Sequence, residues 1–525
     1  MSDASSPSPR PAPGWREIVP FAVMCVGMFA ALLDVQIVAS SMQQIGGGLS
    51  AAEDQIGWLQ TAYLIAEIIV IPLSGWLAHL LSTRWLFVAS ALGFTAASML
   101  CGLAWSIQSM IVFRALQGLL GASMIPMVFT SSFHYFQGRR RIYAAAVIGT
   151  LAAIAPTLGP IIGGWITDTL GWRWLFYVNL VPGLAVAAGV ALLVDIDRPN
   201  LKLLQGADYP GMILMALFLG SLEYVLEEGA RWNWLSDSTI RELALLAVVA
   251  GIGFVARTLT YRHPVVDLRA LRNRNFLLGC MLSFATGMAL FGPIYLTPLF
   301  LGYVRGFSAW QTGLAIFSLG AAALAGVPVY IVLGRWIDLR WLMMLGLGCF
   351  ALSMWSFSFI THDWGPQQLL LPQILRGFPQ VFAVAPAVTL GLGSLPPERL
   401  KHASGLFNMM RNLGGAVGIA ICGAILNDRT NAHFVDIAST LTPANHALRG
   451  FMEMYVRRLS PRMESHGAAT AQALREVWNL AYREASTMAY ADAFLALMAA
   501  CLVAACLVPL MRKVETTAAP TPNAH

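Results

Sequence analysis

Residues 18–41 read IVPFAVMCVGMFAALLDVQIVASS, an apolar run that contains a single charged side chain, Asp34. A helix of about 20 apolar residues is long enough to cross the ~30 Å hydrocarbon layer of a bilayer. The run therefore predicts a membrane-spanning helix that carries a carboxyl group inside the membrane. An ionisable side chain at such a depth is costly, which makes Asp34 a candidate for function.

The same pattern recurs along the whole chain. Of its 525 residues, 57% are apolar and only 11% are charged, whereas a soluble domain has about 25% charged residues. The segments long and apolar enough to span a membrane are 18–41, 56–80, 85–105, 107–133, 142–167, 174–194, 209–229, 240–260, 276–302, 309–333, 341–361, 366–394, 402–427 and 485–511. We therefore expect an all-α integral membrane protein with 14 transmembrane helices.

The order of these segments suggests two six-helix bundles with two helices inserted between them, a 6 + 2 + 6 arrangement. Arg114 and Arg376 fall in the fourth helix of each bundle, which supports an internal duplication of the kind common in transporters. The predicted parts are a disordered cytosolic tail at 1–17, an N-terminal bundle at 18–194, the inserted pair at 209–260, a C-terminal bundle at 276–511 that includes a long extracytoplasmic loop at 428–484, and a cytosolic tail at 512–525.

The basic residues predict the orientation. Most lysines and arginines fall on one side of the membrane, the side of the N-terminus. Because cytoplasmic loops carry an excess of Lys and Arg, we expect both termini in the cytosol and residues 428–484 on the outside.

Several protein classes are excluded by the sequence. Lysine occurs only at Lys202, Lys401 and Lys513, and none follows glycine as the phosphate-binding loop of an ATPase requires. The basic residues are dispersed, which argues against a nucleic-acid partner. The seven cysteines and nine histidines form no pattern of metal ligands. No converging catalytic groups are visible, so we expect no enzyme, no cofactor and no metal, and an ion gradient as the energy source.

The ionisable side chains inside the predicted helices are Asp34, Glu67, Arg114, Glu223, Glu227, Arg376 and Arg411. Helical rise places Asp34 ~24 Å and Arg114 ~20 Å above the cytosolic face, so the two share a depth. This predicts an ion pair in which protonation of Asp34 releases Arg114. Glu67 lies near the midplane, ~16 Å from the outside. Proton handling and structural pairing between helices both remain open for Asp34 and Glu67.

The other charges have different expected roles. Glu223 and Glu227 are four residues apart on one helix face, and Glu228 beside them is expected to be a solvated charge at the outer rim. Arg376 and Arg411 are expected to position helices or face substrate, because arginine does not deprotonate in proteins.

Glycine and proline mark two helices. The fifth segment contains GPIIGG at residues 159–164, in which Gly159 and Gly163 are spaced to let another helix approach closely. Close packing and a hinge are both open for this segment. In the twelfth, Pro372, Pro379 and Pro386 recur every seven residues, which predicts a bent helix.

Taken in order, the motifs are similar to those of a known family. They are Leu33-Asp34 with Ile37-Val38, RALQG at 114–118, GPIIGG at 159–164, WRWLFYVNLVPG at 172–183, Pro397-Glu398-Arg399, and Asn408, Arg411, Gly414 and Gly415. Across nearly its whole length the chain resembles the 14-helix drug:proton antiporters of the major facilitator superfamily, the EmrB/QacA type.

The resemblance implies a major facilitator fold and export of hydrophobic or amphiphilic compounds, driven by proton re-entry across a bacterial inner membrane. It implies that Asp34 is a proton or substrate site tuned by Arg114, to which we add Glu67. The residues expected to bind substrate or assist coupling are Glu223, Glu227, Arg376, Asn408 and Arg411. Those expected to govern conformation are Gly159, Pro160, Gly163 and Gly164. In Gram-negative members the outward loop lies near a periplasmic membrane-fusion adaptor that leads to an outer-membrane channel.

Three points stay open at this stage. A proton-linked exporter of fatty acids or lipids, or an importer, would have the same fold. Phe451, Met454 and Tyr455 have helical spacing and either cover a partner or cap the protein's own mouth. His79 stands where the wider superfamily has an aspartate after the second helix, so the usual inward latch is in doubt.

Overall fold

The computed structural model describes residues 15–51, 53–136, 140–261, 264–396, 399–442, 444–460 and 466–512. These residues form helices joined by turns, with no strand among them. Both predicted tails lie largely outside the described residues, as do Arg139 and the Pro397-Glu398 part of one motif.

Fourteen helices in the described part of the chain are long and apolar enough to cross a membrane, as predicted. We number them α1 (Trp15–Ser40), α2 (Trp58–Leu81), α3 (Thr83–Gly102), α4 (Ile107–Tyr135), α5 (Arg140–Thr169), α6 (Trp174–Leu193), α7 (Tyr209–Glu228), α8 (Ser238–Thr260), α9 (Arg274–Val304), α10 (Ala309–Leu333), α11 (Leu339–Phe357), α12 (Pro366–Leu392), α13 (Leu400–Thr440) and α14 (His466–Leu507).

Three of these helices are interrupted in the part of the chain that the structure describes. One is α6, which breaks at Val178 and Asn179, between Trp174–Tyr177 and Leu180–Leu193. In α12 the helix stops at Gly377 and resumes at Gln380, on either side of Pro379, which confirms the predicted bend. In α4 a similar break separates Ile107–Gly121 from Met124–Tyr135. By contrast, α5 runs unbroken through Pro156 and Pro160.

Glycines set the closest helix contacts in both halves of the chain. On α5, a Cβ added at Gly159 would lie 2.3 Å from the Cβ of Gln36 on α1. On α13, a Cβ added at Gly418 would lie 2.9 Å from the Cα of Met288 on α9. The first and fifth helices of each six-helix set thus meet through small residues, because only glycine lets the backbones come this close.

The two halves are held together at the membrane face where α1 begins and α14 ends, which we call the terminal face. The hydroxyl oxygens of Thr130 (α4) and Ser404 (α13) lie 2.6 Å apart. The rings of His79 (α2) and His402 (α13) stack with their centroids 5.1 Å apart. A buried apolar cluster joins α5 to α10, α11 and α12 on the same side.

The long loop predicted at 428–484 is largely helical. α13 continues to Thr440, a separate helix spans His446–Leu459, and α14 begins at His466. At 1.5 Å per residue, the 41 residues of α13 measure roughly 60 Å, about twice the hydrocarbon thickness. The ends of α13 and α14 therefore form a hairpin that extends past the membrane on the face opposite the terminal face. The helix His446–Leu459 confirms the helical spacing of Phe451, Met454 and Tyr455, whereas the continuation of α13 and α14 was not predicted.

At the base of this hairpin, Asp492 of α14 joins the two helices. Its Oδ2 lies 2.7 Å from the Nε of Arg429 and 2.8 Å from the Nε2 of His433, both on α13.

Candidate functional site

Asp34 and Arg114 form an ion pair inside the N-terminal helices. The Nη1 of Arg114 donates to the Oδ2 of Asp34 at 2.7 Å, and both side chains are fully buried. The pairing predicted from helical rise is therefore present. A buried pair of this kind is stable only when further hydrogen bonds satisfy the remaining polar atoms.

Two amides complete the hydrogen bonding of the Asp34 carboxylate. The Nε2 of Gln117 (α4) donates to Oδ1 at 3.1 Å, and the Nδ2 of Asn179 (α6) donates to the same oxygen at 2.7 Å. Asn179 also donates to the hydroxyl of Ser98 on α3 at 3.0 Å. Three donors therefore stabilise the charged form of Asp34, and they come from α4 and α6.

On its other side, Arg114 is held by α2. Its Nε donates to the carbonyl of Leu59 at 3.2 Å, and its guanidinium carbon lies 4.4 Å from the ring centroid of Tyr63. Its Nη2 is buried without a hydrogen-bond partner among the described residues. One donor of the cation is thus left for a further acceptor.

Glu67 continues the same face of α2, one turn beyond Tyr63. It is buried, and its charge interacts with those of Arg411 on α13 and Arg114. Arg411 is also buried, with its guanidinium carbon 5.5 Å from the ring centroid of Phe129 on α4. These residues bring α2 and α4 of the N-terminal half into electrostatic contact with α13 of the C-terminal half.

Asn408 lies one turn before Arg411 on α13. Its Nδ2 donates to the carbonyl of Ser404 at 2.9 Å, while its Oδ1 is buried without a partner among the described residues. An acceptor is therefore available beside the arginine.

The glycines predicted to govern conformation have distinct neighbours. Gly163, like Gly159, packs on α1: a Cβ there would lie 2.6 Å from the hydroxyl of Ser40. Gly164 faces the other way, with the backbone nitrogen of Trp310 on α10 as its nearest neighbour at 4.0 Å. Gly118, the last residue of the RALQG motif, has the Tyr63 carbonyl only 2.4 Å from an added Cβ. Close approach of α4 and α5 to α2 and α1 thus positions the ion pair.

Arg376 is buried in the C-terminal half at the position corresponding to Arg114, but its surroundings differ. Its Nη2 lies 3.5 Å from the Oε1 of Gln373, and no carboxylate is bonded to it among the described residues. Its Nη1 and the Nε2 of Gln373 are both buried and unpaired. Two donors therefore lack an acceptor within one turn of α12.

The acidic residues of α7 lie against α2 and α13, apart from the Asp34 network. Glu223 is buried and Glu227 is half-buried. Glu228 is also buried, which makes the prediction of a solvated rim charge wrong. Its Oε2 accepts from the Nε1 of Trp232 at 3.2 Å, and Arg231 lies 3.7 Å from the same oxygen. The position of Glu228 near the end of α7 had suggested contact with water, but Trp232 and Arg231 are its neighbours instead.

Sequence reasoning singled out Asp34 and Arg114 but assigned no role to Gln117, Asn179 or Tyr63. Their positions inside the motifs RALQG and WRWLFYVNLVPG could have pointed to Gln117 and Asn179 as functional residues. Tyr63 carried none, since a tyrosine in an apolar helix has no distinguishing pattern. Of the other predicted residues, Glu67, Asn408 and Arg411 lie together at the junction of the halves, whereas Arg376 is separate.

Fourteen membrane-spanning helices with a buried carboxylate–arginine pair beside the junction of two halves are typical of secondary transporters. The chain belongs to the Major Facilitator Superfamily, whose family model matches residues 24–419.

Relatives with known names support the same family. A colistin resistance protein EmrB of Acinetobacter baumannii is 37% identical over 81% of this chain and 83% of its own length. The multidrug export protein EmrB of Escherichia coli K12 is 30% identical over 83% of this chain and 85% of its own length. A fatty acid resistance protein FarB of Neisseria gonorrhoeae is 29% identical over 81% and 83%.

Solved structures agree on the fold. The proton:xylose symporter XylE superposes with a TM-score of 0.58, covering 94% of this chain and 95% of that one at 12% identity. The likeness confirms the major facilitator fold.

Proposed function

We propose that this transporter exports hydrophobic or amphiphilic compounds in exchange for protons, by alternating access. The observation that carries the proposal is the buried Asp34–Arg114 pair at 2.7 Å. A carboxyl group that can take up a proton thus lies inside the membrane in the N-terminal half, close to the junction at which the two halves of this fold move relative to each other. The names of the relatives, which describe multidrug export and drug resistance, support the direction and the substrate class.

The contacts of Asp34 suggest how proton binding and movement are coupled. The ionised carboxylate accepts hydrogen bonds from Arg114, Gln117 and Asn179. A proton on Asp34 removes the negative charge and converts one acceptor into a donor. The network then loses its central anion, and Arg114 can form an ion pair or hydrogen bond with another group. No cofactor takes part, and the proton gradient supplies the energy.

The test is proton-driven transport by purified protein in proteoliposomes, with ethidium as a cationic probe. Asp34→Asn should abolish export driven by a pH gradient and leave ethidium binding in place. Asp363→Asn is the matched control, because Asp363 is 76% exposed. Full pH-driven export by the Asp34→Asn protein would contradict the assignment, and accumulation in the opposite direction would indicate an importer.

Export of anionic amphiphiles such as long-chain fatty acids is the second candidate. The unpaired donors at Arg376 and Gln373 favour it, because a carboxylate would satisfy both. The name of the FarB relative points to the same substrate class. Growth of an efflux-deficient strain expressing the protein, challenged with oleate, ethidium and an uncoupler, compares the two classes. If Arg376→Met removes protection against oleate and not ethidium, the second candidate stands; equal loss for both rejects it.

We further propose that the protein lies in the inner membrane with both termini in the cytosol. We also propose that a membrane-fusion adaptor docks on the hairpin and leads substrate to an outer-membrane channel. The distribution of basic residues supports the orientation. On α14, the side chains of Leu474, Trp478 and Tyr482 are spaced four apart and are 54%, 51% and 42% exposed. The helix His446–Leu459 is a weaker candidate for adaptor docking, because its Tyr455 already packs in the small apolar cluster of the hairpin and is less available to a partner.

Co-purification of the adaptor tests the docking proposal. Trp478→Lys should reduce recovery of the co-expressed adaptor at least tenfold, because a charge on this face opposes apolar contact. Met454→Lys, on the helix His446–Leu459, is the comparison variant, and Met454 is 58% exposed. Unchanged recovery with Trp478→Lys would contradict docking on α14, and loss with Met454→Lys would move the site to that helix.

A further inference from the structure

The inserted helix α7 packs on the seam where the two halves of the transporter meet. A Cβ added at Gly220 of α7 would lie 3.2 Å from the Cδ1 of Ile69 on α2. The rings of Tyr224 and Trp58, at the outer end of α2, are 5.2 Å apart. Ala230, just after α7, lies 3.2 Å from a Cβ added at Gly423 of α13. One helix of the insertion thus contacts one helix of each half.

Glu223 is a buried acidic residue of α7 near this contact. It is 4% exposed, and its Oε2 has no hydrogen-bond partner in the described part of the chain. The charges that act on it are those of Glu227 on its own helix and Glu67 on α2, both acidic. Arg411 of α13, the buried cation of this region, interacts with Glu67. Glu223 therefore has acidic neighbours and an unsatisfied oxygen.

An ionised carboxylate in such a place is unfavourable, because water has been removed and no hydrogen-bond donor has replaced it at Oε2. Repulsion from two like charges adds to that cost. Asp34 has the opposite surroundings, with three donors directed at its oxygens. The surroundings of the two carboxyls thus differ: three hydrogen-bond donors are directed at Asp34, whereas Glu223 is buried with an unpaired oxygen.

We propose that Glu223 is an additional proton carrier of the transport cycle, loaded in this conformation and discharged when the α2–α13 seam moves. The inference rests on the proposed proton coupling and extends it to the inserted pair. When the halves separate at the terminal face, water reaches Glu223 from that side and the cost of its ionised form falls. The proton taken up from the outer side then leaves toward the terminal face. Each cycle then moves one more proton than the Asp34 network carries.

Glu227 and Glu228 connect this carboxyl to the outer end of α7. Glu227 lies one turn farther out on the same face and is half-buried. Glu228 is bonded to Trp232 and lies 3.5 Å from the hydroxyl of Thr61 on α2. The polar groups thus continue from Glu223 toward the outer membrane surface, which gives a route by which the proton is taken up.

The first experiment reads the protonation state without any substrate. Infrared spectra of purified protein in liposomes at pH 7.5 should show the carbonyl band of a buried, protonated carboxyl in the wild type. That band should be lost in Glu223→Gln and kept in Glu242→Gln, the control on the exposed side of α8. A band of unchanged intensity in Glu223→Gln would overturn the inference.

The second experiment counts charge per cycle. Accumulation of ethidium, a permanent monovalent cation, is measured against membrane potential at fixed pH gradient. Moving one elementary charge across 100 mV corresponds to about a 50-fold change in a concentration ratio. Loss of one proton per cycle should therefore change the ratio of ethidium concentrations on the two sides of the membrane by that factor. Glu223→Gln should show this change, while Glu242→Gln and Glu223→Asp should follow the wild type.

The outcomes separate this inference from the proposed function. A wild type that exports no probe contradicts the proposed function, while the infrared band still tests Glu223. A Glu223→Gln protein with the wild-type voltage response and only a raised half-saturating ethidium concentration would make Glu223 a substrate contact, and would overturn the proton-carrier inference.

Discussion

At the scale of single residues, the buried arginines differ in what neutralises them. Arg114 has a carboxylate at 2.7 Å and an aromatic face at 4.4 Å. Arg376, at the same place in the other half, has only the amide of Gln373. A buried guanidinium without an anion is unfavourable by several kcal/mol, so an anionic group beside Arg376 would stabilise the C-terminal site. The arginines on the fourth helix of each six-helix set thus have different surroundings.

Removal of Asp34 alone should destabilise the protein more than removal of the whole pair. Asp34→Ala leaves the buried Arg114 unpaired, at a cost of about 3–5 kcal/mol. The double variant Asp34→Ala/Arg114→Ala leaves no uncompensated charge and should recover much of that loss. Thermal unfolding of both variants in detergent, beside Arg114→Ala, gives the coupling energy. Additive losses in the double variant would show that the two charges do not interact.

At the scale of helices, small residues fix the position of the functional side chains. Gln36, which meets Gly159, is two residues after Asp34 on α1, so the contact between α5 and α1 sets where the carboxylate sits. In the same way, Gly118 meets the carbonyl of Tyr63, whose ring lies beside Arg114. The glycine of each motif therefore acts on the ion pair through the neighbouring backbone.

Gly159→Ala should impair transport strongly. The new Cβ would lie 2.3 Å from that of Gln36 and 3.0 Å from its backbone carbon, so α1 must move and carry Asp34 with it. Overpacking of this kind costs about 1–3 kcal/mol, and pH-driven export should fall at least tenfold. Gly164→Ala is the matched control, since its nearest neighbour is 4.0 Å away. Equal export by the two variants would show that the α1–α5 contact is not needed.

At the scale of the whole molecule, the sequence was a good guide to what lies within one helix and a poor guide to what lies between helices. Hydropathy located the 14 spans found among the described residues, and helical rise put Asp34 and Arg114 at the same depth, because both depend on position along a single helix. The approach of Asn179 to Asp34 depends on how α6 is rotated against α1, which composition does not encode. The outer ends of α13 and α14 were missed because a polar helix in water has no hydropathy signal.

The contacts at the terminal face also belong to the whole molecule, since they join residues about 300 positions apart in the sequence. His79 and His402 stack across the halves near the Thr130–Ser404 contact. His79 stands where the resemblance leads one to expect an aspartate, so a ring contact holds this end of α2 against α13. The nitrogen Nδ1 of His402 also lies 3.1 Å from the carbonyl of Val265.

His402→Ala should therefore shift the protein toward the state that is open at the terminal face. A ring stack contributes about 0.5–1.5 kcal/mol, which corresponds to a roughly 2- to 10-fold change in the ratio of open to closed molecules. Spin labels at Arg198 and Trp336, on the terminal face of the two halves, report this ratio in a Cys506→Ser background. His446→Ala, on the hairpin, is the matched control. The stack would have no part in closing this face if both variants gave the wild-type distance distribution.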